Sequence, residues 1–232
     1  MSATDTTPSS NARNHRQIDT AIFDLGGVLM HNGRHSDFTK HFAPHVAAEA
    51  QRIFVGEFGV DSDHPWHRLE RGEISMADCR ALQLEAFAAA GIEMPARPTP
   101  EPTACGEPAP LMTFQPNLAM MDLAARLRAS GVGIGILTNN AREFRELWRT
   151  LMPYEDLFDD IVDSHEVGLR KPNPAIYELA LTRLNGTAGR AVFLDDLPSN
   201  VAAATALGMY GVVVDIDATP AIAEVERLAS LG

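Results

Sequence analysis

The chain has 232 residues, 45% of them hydrophobic, which suits one sizeable α/β domain or a core with a smaller inserted unit, and excludes global disorder. Its 31 acidic against 19 basic residues leave a net charge of −12, a surface that repels nucleic acid and anionic lipid on average. Of its 2 cysteines, Cys79 and Cys105, neither is needed as a staple at this size, and both read as reduced thiols of a cytoplasmic protein.

Residues 1–17 are rich in Ser, Thr, Asn and Arg without an apolar run. They are expected to form a disordered tail, neither a signal peptide nor a membrane span. Residues 20–25 form the first strand, apolar on both faces as in a buried parallel sheet, and run into Gly26-Gly27. Residues 38–54 read as helix, broken or restarted at Pro44. Residues 75–90 read as a second helix, with Ser75 as N-cap and Gly91 past its end. Six prolines between Pro95 and Pro110 exclude helix and central strand and mark the return linker of an inserted module. The expected organisation is a core over residues 18–30 and 111–232, with a helical cap and its linker over 31–110.

Beyond the linker the pattern alternates. Helices are expected at 117–129, 142–151, 174–184, 199–207 and 221–228, and strands at 133–137, 161–163, 191–194 and 212–214. Such alternation implies βαβ units and a parallel sheet with helices on both faces. In open α/β sheets ligands bind at the carboxyl ends of the strands, so those ends are where chemistry is sought.

Asp24 ends the first strand, Thr138-Asn139-Asn140 the second, and Asp195-Asp196 the fourth; Lys171 follows the third. Three gathered carboxylates repel one another unless a cation sits among them. Oxygen ligands suit Mg²⁺, which binds through one or two carboxylates plus a substrate phosphate. Lys171 would screen a phosphate, and Thr138, with Asn139 beside it and nearby backbone amides, would donate hydrogen bonds to its oxygens. Each residue alone has a plainer reading. Asp24 could cap a turn, Asp195-Asp196 could start a helix, and Lys171 could be solvated; it is their joint occurrence at strand ends that favours a site. Gly131, Gly133 and Gly135 precede or lie within a strand, so they do not form a dinucleotide loop. The spacing of Phe38, Phe42 and Val46 reads as core packing. Of the histidines, His67, with Trp66 beside it, is the best placed to face a substrate.

Phe23-Asp24-Leu25-Gly26-Gly27-Val28-Leu29, Leu137-Thr138-Asn139-Asn140, Gly168-Leu169-Arg170-Lys171-Pro172 and Phe193-Leu194-Asp195-Asp196-Leu197-Pro198-Ser199-Asn200 stand in this order along the chain. Together they resemble the motifs of the haloacid dehalogenase-like hydrolases. Arg68-Leu69-Glu70-Arg71-Gly72-Glu73-Ile74-Ser75 is similar to the helical cap of the branch that holds the phosphatase domain of soluble epoxide hydrolases and bacterial sugar-phosphate phosphatases. The resemblance implies a Rossmann-like parallel sheet core with a small helical cap inserted after the first strand. It also implies that Asp24 attacks phosphorus to form an aspartyl-phosphate, aided by Lys171. Mg²⁺ would be held by Asp24, the Gly26 carbonyl and Asp196, with Asp195 as a direct or outer partner. The substrate would be a small phosphorylated metabolite.

The sequence departs from the family at Gly26, where an Asp usually serves as general acid and base. Glycine transfers no proton, and such help is worth about 10²–10⁴-fold in rate. His31 and His35 are candidate substitutes, although each reads first as an ordinary polar loop residue. Two other functions are compatible with the motifs: a metal-free dehalogenase, disfavoured by the acid pair at 195–196, and a weakly catalytic protein that binds a phosphorylated ligand, for which Gly26 is the support.

Overall fold

The computed structural model describes residues 16–31, 38–94, 115–150 and 154–231. The expected Pro-rich linker, His35 and Cys105 lie outside the described residues. Of the expected tail, Arg16 and Gln17 are described. Arg16 donates to the Ser130 and Gly131 carbonyls at 3.1 Å each, and the Gln17 N–H donates to Leu228 at 2.8 Å.

A parallel sheet of five strands forms the centre: β1 (Thr20–Phe23), β4 (Gly133–Thr138), β5 (Asp160–Asp163), β6 (Ala191–Asp195) and β7 (Tyr210–Val213), in the order β5-β4-β1-β6-β7. The alternation along β1 explains why it is apolar from Ala21 to Phe23. Ala21 and Phe23 pack into one layer with α4 (Leu118–Ala129) and α10 (Thr219–Ala229). Ile22 faces the other layer, with α8 (Pro174–Arg183) and α9 (Pro198–Ala206). Period 2 on a sheet covered on both sides leaves no face for polar residues.

The insertion leaves and returns through a short antiparallel pair, β2 (Met30–His31) with β3 (Gln115–Pro116). Two-residue strands carry no periodic signal, and the sequence does not announce them. Between them stand α1 (Pro44–Val55), α2 (Pro65–Glu70) and α3 (Met76–Ala89). Pro44 sits in the first turn of α1, after a separate 3₁₀ turn at Phe38–His41, because its missing N–H is tolerated only at a helix start. Ser75 caps α3 in a reciprocal box with Asp78. Six-residue α2 is too short for its 3.6 period to be read from sequence. Phe42, Ala50, Phe87 and Ile92, with Val46 packed against them, give this cap a small core of its own.

The expected helix over 142–151 is a 3₁₀ turn, Arg142–Phe144, followed by α5 (Arg145–Arg149). The chain also makes two single-turn helices unmarked in the sequence, α6 (Tyr154–Leu157) and α7 (Ser164–Val167). Among the described residues no helix is long and apolar enough to cross a membrane.

Candidate active site

From β1 the chain moves to β4 and β5 on one side and later returns to β6 and β7 on the other. The strand order therefore reverses between β1 and β6, the crevice where open α/β sheets bind ligands. Register decides what meets there. Phe23 lies opposite Leu194, so the next residues, Asp24 and Asp195, leave adjacent strands side by side. The Asp24 N–H donates to the Leu194 carbonyl at 2.8 Å, fixing the backbone of Asp24 against β6. Asp24, Asp195 and Asp196 are all buried, and one carboxylate oxygen from each lies within 4.8 Å of the others.

Lys171 enters this cluster from the loop after α7. Its ammonium is 1% exposed and lies 2.7 Å from both Asp24 Oδ1 and Asp195 Oδ2, and it donates to the Leu137 carbonyl at 3.0 Å. Burial disfavours the charged lysine, but the Asp195 and Asp24 carboxylates outweigh it and drive its pKa up. The loop itself is held by Asn139. Its Oδ1 accepts from the Lys171 N–H at 2.8 Å, and its Nδ2 donates to the Lys171 carbonyl at 3.0 Å. Asn139, expected among the substrate contacts, thus has its side chain engaged by the lysine's backbone. Thr138, buried at the end of β4, stands one residue before it.

Asp195 is tied more tightly than the sequence suggests. Oδ1 accepts from the Leu197 N–H at 2.8 Å and from Asn200 Nδ2 at 3.1 Å; Oδ2 accepts from Lys171 and from the same Asn200 nitrogen at 3.0 Å. These contacts occupy most of the roughly four acceptor sites of a carboxylate, so Asp195 acts as the anchor of Lys171. Asn200 stands in the fourth motif, but its role needed the turn into α9, which carries it back over the strand end.

Gly27 and Asp196 show why the turn after β1 is glycine-rich. Gly27 has φ +78°, and a Cβ there would lie 2.3 Å from Asp196 Oδ2. Only glycine both adopts that backbone and lets Asp196 close over it. Gly26, two residues from Asp24, bridges to Met30 in the same turn.

One lysine does not neutralise three carboxylates. Burial first, then Asp195 and Asp196, push the Asp24 carboxyl from 3.8 up to about 8, against the pull of Lys171. The donor set fits a small divalent cation: three hard carboxylate oxygens, buried and gathered within 4.8 Å of one another.

One expectation about the cap is corrected. His67 is fully buried: its Nδ1 lies 2.9 Å from Ser62 Oγ, and burial, then Arg170, lower its pKa to about 4. Trp66 stacks on Phe54 at 5.9 Å and donates its indole N–H to Glu70 at 2.9 Å. His67 is thus occupied inside the cap, whereas Trp66 keeps part of its surface exposed. His31 is exposed on β2. Sequence reasoning set Glu70 in the cap motif but missed its pairing with Arg170, which stands 100 positions away and 2.7 Å from its carboxylate.

The chain is similar to several known proteins. A sesquiterpene phosphatase of Aspergillus oryzae is 33% identical over 193 residues, 82% of this chain and 87% of that protein. Bifunctional epoxide hydrolase 2 of Rattus norvegicus is 34% identical over 116 residues, 48% of this chain and only 21% of that longer protein. A haloacid dehalogenase-family enzyme of Bacteroides thetaiotaomicron, solved in complex with magnesium and inorganic phosphate, matches with a TM-score of 0.57 at 20% identity. The match covers 86% of this chain and 96% of that one, and at that identity it speaks to fold alone. A family model for haloacid dehalogenase-like hydrolases matches residues 18–208, from the strand before Asp24 to the end of the helix after Asp196, and the chain belongs to that hydrolase family.

Proposed function

We propose that the chain is a Mg²⁺-dependent phosphatase that hydrolyses a small phosphate monoester through an aspartyl-phosphate on Asp24. One observation carries the reading: the Lys171 ammonium lies 2.7 Å from both Asp24 and Asp195 inside a buried cluster of three acids at the sheet's crevice. A carboxylate is a weak nucleophile towards an anionic ester, and attack requires that the repulsion be screened. Lys171 supplies part of that screening. Asp24, Asp196 and the Gly26 carbonyl would hold Mg²⁺, with Asp195 behind them, and the ion when bound would neutralise charge on the phosphate oxygens.

In the first step an Asp24 oxygen forms a bond to phosphorus and the ester P–O bond breaks. The leaving oxygen takes its proton from solvent, since Gly26 has none to give. Water then attacks phosphorus, the Asp24–phosphorus bond breaks, and inorganic phosphate leaves. The Leu25 N–H, 2.7 Å from Asp24 Oδ1, holds the carboxylate plane throughout. Thr138 and the backbone N–H of Asn139 would donate to the phosphate oxygens. The substrate is a small phosphorylated metabolite rather than nucleic acid or membrane lipid, in keeping with the net charge of −12. A cytoplasmic setting is in keeping with a chain of this size that has 2 cysteines and no need of a disulfide staple.

The test is hydrolysis of p-nitrophenyl phosphate by the full chain. Activity should vanish in chelator, return with Mg²⁺ and return poorly with Ca²⁺, which prefers more ligands and looser geometry. Undiminished activity in chelator would overturn the phosphatase reading and point to a metal-free displacement at carbon.

A further inference from the structure

The loop that carries Lys171 is gripped from two sides. On the core side Asn139 holds the lysine's own N–H and carbonyl. On the cap side the grip falls on the residue before it. Arg170 is 3% exposed, donates from Nε to Glu70 Oε2 at 2.7 Å and from Nη1 to the Val60 carbonyl at 2.5 Å. Glu70 ends α2, and Val60 lies in the segment between α1 and α2, so one guanidinium joins two parts of the cap. Its neighbours reinforce the junction. Trp66 orients Glu70 through Oε1 at 2.9 Å, and Asn173 Nδ2 donates to Asp61 at 3.3 Å. Arg71 pairs with Asp61 and donates to the Ser62 carbonyl at 2.9 Å. Gly72, at φ +70°, brings the cap backbone so close that a Cβ there would lie 2.5 Å from the His165 carbonyl.

A buried ion pair is a poor way to add stability, because desolvation of both charges offsets their attraction, and a packed apolar pair does as well. What the planar guanidinium adds is direction: two bonds from one rigid fork define where its backbone sits. That backbone is joined to Lys171, whose Cα is about 3.8 Å away. We infer that Glu70 and Arg170 are positioning residues, a cap–core latch that sets Lys171 against Asp24 when the cap is seated. With the cap displaced, Arg170 loses Glu70, Val60 and Asp61, the loop keeps only its core contacts through Asn139 and the lysine's own ammonium, and Lys171 is set less narrowly. A displacement of about 1 Å in a catalytic group costs roughly 10²-fold in rate. The latch thus ties the completed site to the cap that covers it, so that Asp24 meets phosphate mainly with water excluded. The inference rests on the phosphatase reading for its kinetic consequence but not for its structural one.

The experiment uses the full chain with Glu70→Ala, Arg170→Ala and the double variant. It measures kcat and KM for p-nitrophenyl phosphate with Mg²⁺, and amide hydrogen exchange across residues 168–173. Each single variant should lose about 10²-fold in kcat with a much smaller change in KM, and the double should be no worse than the poorer single. In Glu70→Ala, exchange should rise across 168–173, on the core, while β1 and β4 stay protected. Multiplicative losses, a change in KM alone, or increased exchange confined to the cap would overturn the latch. Should an alanine variant fail to fold, Glu70→Gln and Arg170→Lys keep the size of the pair while weakening its fork, and are held to the same criteria. If the wild type hydrolyses no phosphate ester, the functional reading fails, and the exchange across 168–173 still decides for or against the latch.

Discussion

Asp24 carries a signature that can be read without any substrate. Its carboxyl is pushed from 3.8 up to about 8 by burial and by Asp195 and Asp196. A folded pKa above the unfolded one means that the native state holds a proton the unfolded chain has released. The stability contributed is complete below about pH 4 and is lost as pH rises to about 8. One proton gives a slope of about 1.4 kcal/mol per pH unit. Over this window the loss is at most roughly 6 kcal/mol, which for a chain of this length is about 10–20 °C in Tm. The perturbation is Asp24→Asn, nearly isosteric and unable to titrate. Thermal melts of the metal-free wild type and variant, from pH 4 to pH 9, isolate Asp24 as the difference between the two curves, because Glu70 and Asp163, whose pKa values burial also raises, are common to both. Excess Mg²⁺ should flatten the wild-type slope by favouring the ionised carboxylate, and should move the variant far less. Parallel curves for the two proteins, or a wild-type slope indifferent to Mg²⁺, would refute the account of Asp24 as an undercompensated buried acid.

Three further outcomes are expected. Lys171→Met keeps the length of the side chain and removes the charge, so p-nitrophenyl phosphate turnover should fall at least about 10²-fold; melting should also show destabilisation of about 3–5 kcal/mol, since Asp24 and Asp195 lose their buried partner. Gly27→Ala forces a Cβ to within 2.3 Å of Asp196 Oδ2 at a positive φ; Mg²⁺ affinity, followed by calorimetry, should drop with the displaced carboxylate, and unchanged affinity would remove Asp196 from the ligand set. With no acid at position 26, hydrolysis should depend steeply on leaving-group acidity, favouring aryl over alkyl phosphates, and Gly26→Asp should flatten that dependence; a flat series in the wild type would show that another residue donates the proton.

The sheet and the ends of its strands were legible because they depend on local pattern. Apolar runs of strand length, alternating with helical periods and glycine or proline stops, imply parallel βαβ units, and the carboxyl-end rule then selects Asp24, Thr138, Lys171 and Asp195-Asp196. The short elements were not legible, since α2, α6, α7 and the β2–β3 pair are too brief to show a period. Their positions depend on what they pack against: α2 persists because its Leu69 is buried with Cys79 of the cap and Ala141 of the core.

Sequence by itself determined the fold class and the order of the strand-end residues, and it raised the expectation of a cation near them. It did so because residue type and spacing act over a few positions. Tertiary structure alone decided how each side chain is used. Asn139 is clasped to the lysine's backbone, Asp195 is held by Asn200 and Lys171, His67 is turned inside the cap, and Glu70 meets Arg170 across 100 residues. A carboxylate reads the same in sequence whether it binds a metal, a lysine or an arginine. Only the folded chain, by burying it beside one partner and away from the others, settles which charge compensates it.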